Sequence, residues 1–283
     1  GFMNTTATLN LVPYFLYGTA WKEDRTQRCV EDALKAGFRG IDTANQRKHY
    51  YEAGVGKALQ STYESGLLQR EDVFLQTKFT PRGGQDNRLP YDAQAPLSEQ
   101  VKQSCESSLE HLGTDWLDSF ILHGPMTLKG LSDSDWEIWQ AMESLYDRGQ
   151  VRHLGVSNVS GEQLQMFYEG ARVKPSFVQS RCFAIKLWDK ELREYCQKQG
   201  ILYQGFSLLT ANAEILQKYS NFKAIAQRKD KTPAQVVFRF AWQAGMLPLT
   251  GTTDFQHMQQ DLQINEFELT EKEVAQIENV AAG

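Results

Sequence analysis

The sequence predicts an α/β fold, a single (β/α)8 TIM barrel, and three observations carry that prediction. Eight short runs rich in β-branched or aromatic residues recur along the chain, helical stretches separate them, and no composition break marks a linker. The expected strands are Tyr14 to Thr19, Phe38 to Thr43, Val73 to Phe79, Trp116 to His123, Val151 to Ser157, Ser176 to Cys182, Ile201 to Leu208 and Met246 to Thr250. Strands alternating with helices read as parallel βαβ units, and eight of them favour one closed barrel over a doubly wound sheet with a second domain.

The helices justify themselves by periodicity and punctuation. Val30, Ala33 and Leu34 fall on one face ahead of Gly37, a residue suited to a helix stop. Ser132 with Asp135 forms a capping box before the apolar stripe Ile138, Met142 and Leu145, with Gly149 as the stop, and Ser160 with Gln163 opens the next helix in the same way. Trp136, Trp139 and Met142 are read as packing groups. At the ends, Ala7 to Val12 is expected to form an N-terminal hairpin, and Thr270 with Glu273 to open an additional C-terminal helix. Gly1 and Phe2 precede the first methionine and are read as residues added ahead of it, so the expected domain spans 3–283. Residues Arg82 to Ala95, rich in Gly, Pro, Asn and Asp, read as a long loop between a strand and its helix, where a barrel carries its specificity.

Composition excludes several functions. Lys and Arg number 30 against 35 Asp and Glu, giving a net charge of -5 without a basic block, so nucleic acid is not an expected partner. No apolar run approaches the roughly 20 residues of a membrane span and no signal-peptide pattern opens the chain, so a cytoplasmic location is expected. A monomer is the expected state, though no sequence feature sets it. Cys29, Cys105, Cys182 and Cys196 lack metal or CxxC spacing and are read as reduced. His123 has no HxH or nearby carboxylate partner of ligand spacing, so no metal is expected. Gly54-Val55-Gly56 lacks the third glycine of a dinucleotide fingerprint and lies within a predicted helix.

Polar residues gather where a barrel does its chemistry. Mid-strand side chains fill the core, whereas those at C-terminal strand ends face the catalytic mouth. Asp42, Lys78 and His123 end the second, third and fourth strands; Ser157 and Asn158 end the fifth; Gln179 and Ser207 lie late in the sixth and seventh. A buried Asp–Lys pair is costly to desolvate, and at a barrel mouth it suits the task of shifting a neighbour's pKa.

Six segments together resemble the aldo-keto reductase superfamily: Gly18-Thr19-Ala20-Trp21, Gly40-Ile41-Asp42-Thr43-Ala44, Glu52 with Val55-Gly56-Lys57-Ala58-Leu59, Gln76-Thr77-Lys78-Phe79, Leu122-His123-Gly124-Pro125 and Gly155-Val156-Ser157-Asn158. The resemblance implies NAD(P)H-dependent reduction of a small aldehyde or ketone, with a tyrosine donating the proton, and NADPH as the expected cofactor with NADH as the alternative. It maps Asp42, Lys78 and His123 directly. A phenol near pKa ~10 is a poor acid, and the nearby ammonium lowers that value while the carboxylate holds the lysine. The tyrosine stays open: the stretch from Asn45 to Glu52 is about two residues longer than the family's usual connection, so Tyr50 is favoured, with Tyr51 and His49 as alternatives. Trp21 and Tyr51 are expected to line the substrate pocket. For the cofactor the resemblance implies Ser157, Asn158 and Gln179 at the carboxamide, Phe206, Ser207 and Leu208 in the seventh-strand segment, and Gly251, Thr252, Thr253 and Gln260 at the adenosine end. There the chain departs from the family: Gly251 and His257 stand where many members carry the lysine and arginine that grip the 2′-phosphate. A cofactor-binding regulatory subunit of the same fold, acting by contact with little turnover, is the competing reading.

Overall fold

Eight parallel strands close into a barrel in the computed structural model, which describes residues 2–3 and 12–282. The barrel strands are β1 (Leu16–Gly18), β2 (Gly40–Asp42), β3 (Phe74–Phe79), β4 (Leu117–Leu122), β5 (Val151–Ser157), β6 (Phe177–Arg181), β7 (Leu202–Phe206) and β8 (Met246–Thr250). Their order around the barrel is the order in the chain, with β8 beside β1. Each strand is shorter than or equal to the run read from sequence, because β-branched and aromatic residues continue into turns that no neighbouring strand pairs. Phe2–Met3 pairs antiparallel with Val12–Pro13, so the two residues set aside at the start include one that joins a sheet. The hairpin expected over Ala7 to Val12 lies outside the described residues except for Val12.

Contacts group the chain into two compact units, residues 17–178 and residues 1–16 with 179–283, the division falling inside β1 and β6. In the first unit, α1 (Thr26–Ala36) buries Val30, Ala33 and Leu34 and stops at Gly37, whose φ of 123° suits a residue without Cβ. Helix α2 (Glu52–Glu64) packs on α3 (Leu97–Leu112) closely enough that a Cβ on Gly56 would sit 1.7 Å from the His111 carbonyl oxygen. Helices α4 (Asp133–Asp147) and α5 (Gly161–Gly170) open with the expected capping boxes, and Ile138, Trp139 and Met142 are fully buried.

The second unit carries α6 (Lys190–Gln199), the short α7 (Ala213–Lys218), α8 (Ser220–Lys229), α9 (Pro233–Gln243), α10 (Phe255–Leu262) and α11 (Glu271–Glu278). Helix α11 is the C-terminal helix that Thr270 and Glu273 were expected to open, and both halves of that capping box are present. All four cysteines are free and buried. Among the described residues, no helix is long and apolar enough to cross a membrane.

Candidate active site

In the first unit, the ends of β2, β3 and β4 bring together four side chains that the sequence places far apart. Lys78 is completely buried, and its ammonium donates to both carboxylate oxygens of Asp42 at 2.9 Å and to the Thr43 carbonyl at 3.0 Å. Its remaining neighbour is the Tyr50 hydroxyl, 3.4 Å away, and the ammonium lies 4.8 Å from the Tyr50 ring centroid. The His123 ring meets the Tyr50 ring edge-on, centroids 6.0 Å apart. Backbone bonds fix these strand ends: Thr19 N–H and its hydroxyl both donate to the Asp42 carbonyl, and the His123 N–H donates to the Phe79 carbonyl.

The loop that delivers Tyr50 has its own bracing. The Tyr50 and His49 N–H groups donate to the Gln46 carbonyl, the Trp21 N–H donates to the His49 carbonyl, and the Trp21 and His49 rings lie 4.0 Å apart. Trp21 is 69% exposed and holds a left-handed φ of 63°, an unusual conformation for a bulky residue. Tyr51 takes a different direction. It precedes α2, lies under the Arg47 guanidinium at 4.4 Å, and would be 2.9 Å from a Cβ on Gly54. Of the three competing residues, Tyr50 is the one whose functional atom reaches Lys78.

Burial governs the electrostatics. It pulls the Lys78 ammonium's pKa down, but Asp42 and Tyr50 outweigh it and the group stands above its ordinary value, firmly charged. Burial raises the Tyr50 phenol, Lys78 pulls it down, and Asp42 raises it again, so the net direction is upward. Lys78 lowers this pKa, as expected from the sequence, but desolvation of the phenol, which the sequence does not reveal, is larger. His123 is pushed down to about 3 by burial, Lys78 and His49, so its imidazole is neutral at physiological pH.

Two contacts were missed in the sequence. Thr80 places its hydroxyl 2.7 Å from His123 Nδ1, and Gln76 donates from Nε2 to Asp42 Oδ1 at 2.8 Å. A signal existed for the second, because alternate residues of a strand share a face and Gln76 precedes Lys78 by two. Ser157 is buried, and Asn158, at a left-handed φ of 55°, donates from its side-chain amide to the His123 carbonyl at 2.8 Å.

The remaining expected residues belong to the second unit. Gln179 donates to Gln204 Oε1 at 3.0 Å; Phe206 lies beneath the Arg181 guanidinium; Ser207 has a left-handed φ of 55°, and Leu208 is buried. After β8, Gly251 and Thr253 are exposed, Thr252 accepts from the Asp254 N–H, and the Gln260 carbonyl accepts from Gln235. Asp254 caps α10 by accepting from the His257 N–H at 2.9 Å. Residues 249–263 contain no lysine or arginine. The segment thus presents threonine hydroxyls and the N-terminus of α10 with its capping Asp254 carboxylate.

A closed parallel (β/α)8 barrel whose strand ends converge on a buried ion pair, a phenol and a neutral imidazole has the architecture of a barrel enzyme. The sequence profile of the Aldo/keto reductase family matches residues 14–282, and the chain belongs to that family, as an oxidoreductase. It is 30% identical to the uncharacterized oxidoreductase YtbE of Bacillus subtilis over 94% of this chain and 88% of that protein. It is 29% identical to the NAD(P)H-dependent D-xylose reductase of Pachysolen tannophilus over 91% of this chain and 86% of that protein. The crystal structure of an aldo/keto reductase from Brucella melitensis superimposes with a TM-score of 0.81 at 27% identity, covering 98% of each chain.

Proposed function

We propose that this protein reduces a small aldehyde or ketone to the alcohol, with Tyr50 as the proton donor and NADPH or NADH as the reductant. The observation that carries the reading is the Tyr50 hydroxyl held 3.4 Å from a Lys78 ammonium that both Asp42 oxygens hold in place. The name of the Pachysolen relative, NAD(P)H-dependent, supports the choice of cofactor.

A reduced nicotinamide supplies the hydride when bound. The chain's own residues handle the proton and the developing negative charge. Tyr50 keeps its proton at neutral pH because burial raises its pKa, and it gives that proton to the carbonyl oxygen. Lys78 stabilises the phenolate left behind, and Asp42 keeps Lys78 charged and fixed. We assign neutral His123 the tautomer with its proton on Nε2, in which Nδ1 accepts from the Thr80 hydroxyl 2.7 Å away and Nε2 donates a hydrogen bond to the substrate oxygen. Trp21, exposed beside His49, contributes an apolar wall for the substrate. Ser157 and Asn158 are assigned to the carboxamide; Gln179 is assigned to it too, and Phe206, Ser207, Leu208, Gly251, Thr252, Thr253 and Gln260 to the rest of the cofactor.

The test is the absorbance loss of NADPH and of NADH with a reactive aromatic aldehyde, in wild type, Tyr50→Phe and Tyr51→Phe. Tyr50→Phe is expected to lose roughly a hundredfold or more in turnover, the contribution of a positioned acid, and Tyr51→Phe to keep most of it. Equal retention by both variants would remove Tyr50 from the reaction, and no turnover by wild type with either cofactor would favour a regulatory subunit.

A further inference from the structure

Below the Asp42–Lys78 pair, the interior of the first unit holds a buried amide that an apolar core residue could replace in volume. Gln76 and Ser119 are both completely buried and face each other in register across β3 and β4. Ser119 donates its hydroxyl to Gln76 Oε1 at 2.8 Å, and Gln76 Nε2 donates to Asp42 Oδ1 at 2.8 Å. The orientation follows from chemistry. A carboxylate only accepts, so the amide must turn its N–H toward Asp42, and the serine hydroxyl satisfies the carbonyl end. Burying an amide in a barrel core is unfavourable unless both ends are bonded, and here both are.

The consequence concerns charge. Asp42 Oδ1 receives the Gln76 N–H and the Lys78 ammonium at once. Part of the carboxylate's charge is met by the amide, so less of it cancels the ammonium that stands beside the Tyr50 hydroxyl. We propose that Gln76, oriented by Ser119, is a positioning residue that leaves more of the Lys78 field at the Tyr50 hydroxyl and so favours the phenolate after proton transfer. The proposal rests on the reading of Tyr50 as the proton donor.

Removing the amide lets Asp42 neutralise Lys78 more fully and act more strongly on the phenol itself; both effects disfavour phenolate. The experiment compares wild type, Gln76→Met, Ser119→Ala and Tyr50→Phe. It measures the pH dependence of turnover in the reductive and oxidative directions, ultraviolet difference titration of the phenol against Tyr50→Phe in the cofactor-free protein, and thermal unfolding. Methionine keeps the unbranched shape of glutamine without its hydrogen bonds. In Gln76→Met the oxidative limb and the phenol titration are expected to move to higher pH, with roughly threefold to tenfold less phenolate at a given alkaline pH, a shift of about half to one pH unit. Ser119→Ala, which frees the amide to rotate, should move both in the same direction by less. A structural role alone would lower the unfolding temperature and leave the midpoints unmoved, and that result would overturn the proposal. Should Gln76→Met fail to fold, the smaller Ser119→Ala change decides alone by the same criterion. Turnover retained in Tyr50→Phe would overturn the proton-donor reading and the proposal with it. Unmoved midpoints beside an inactive Tyr50→Phe would overturn the proposal alone.

Discussion

At the scale of single residues, burial decides which groups carry charge. Asp261 illustrates this away from the candidate acid–base set: it is 4% exposed, its carboxylate accepts from the Thr250 hydroxyl at 2.9 Å, and burial raises it to about 7 from an ordinary 3.8. Its proton is thus held more tightly in the folded chain than in the unfolded one. Stability contributed by the protonated form is full below pH 3.8 and is lost as pH rises toward about 7, where ionisation imposes a cost of order a few kcal/mol. Asp261→Asn is expected to raise the unfolding temperature by an amount that grows between those two pH values and then levels. A constant difference across that range would remove the charge from the explanation. The same residue scale shows what the sequence disclosed. Asp42, Lys78 and His123 were legible because each sits at a strand end, where a barrel exposes side chains at its mouth. Tyr50 was not separable from Tyr51 and His49, because a loop has no period to orient its side chains. Nor was the rise in the Tyr50 pKa legible, since desolvation depends on neighbours that only folding supplies.

Between elements, the α2–α3 contact holds the start of α2, two residues after Tyr50. The buried Glu52 carboxylate accepts from Thr77, from Ser108 at 2.9 Å and from His111 Nδ1 at 2.8 Å. Thr77 points to this side of β3 while Gln76 and Lys78 point to the other, the alternation a strand requires. Glu52 raises the half-exposed His111 imidazole by hydrogen bonding, against the effect of burial, with Glu110 adding to the rise. A histidine raised above its unfolded value of 6.5 contributes stability that is complete below that pH and is lost as pH rises through the folded value. Unfolding temperature is therefore expected to fall as pH increases above about 6.5, and His111→Gln should flatten that dependence while keeping a donor to Glu52. If the two proteins fall in parallel, the pair does not link pH to stability. Capping boxes at Ser132, Ser160 and Thr270 were all readable, because each is a local spacing rule. Strand ends were less so: Ile201 to Leu208 shortens to Leu202–Phe206, since propensity does not report where a neighbour stops pairing.

For the whole molecule, the eightfold alternation was enough to give the barrel, because parallel strands joined by helices admit few closed arrangements. The compact units divide inside β1 and β6, between Leu16 and Tyr17 and between Val178 and Gln179. We propose that the chain nevertheless unfolds as a single domain, and calorimetry is expected to show one transition with equal calorimetric and van't Hoff enthalpies. Two resolved transitions would assign separate stabilities to the two units. Asp42, Tyr50, Lys78 and His123 all fall within one uninterrupted stretch, residues 42–123, of the first unit. For inheritance, that arrangement makes the proposed acid–base set a block: recombination outside residues 42–123 can exchange the segment after β8 between relatives without separating the proposed acid from its lysine.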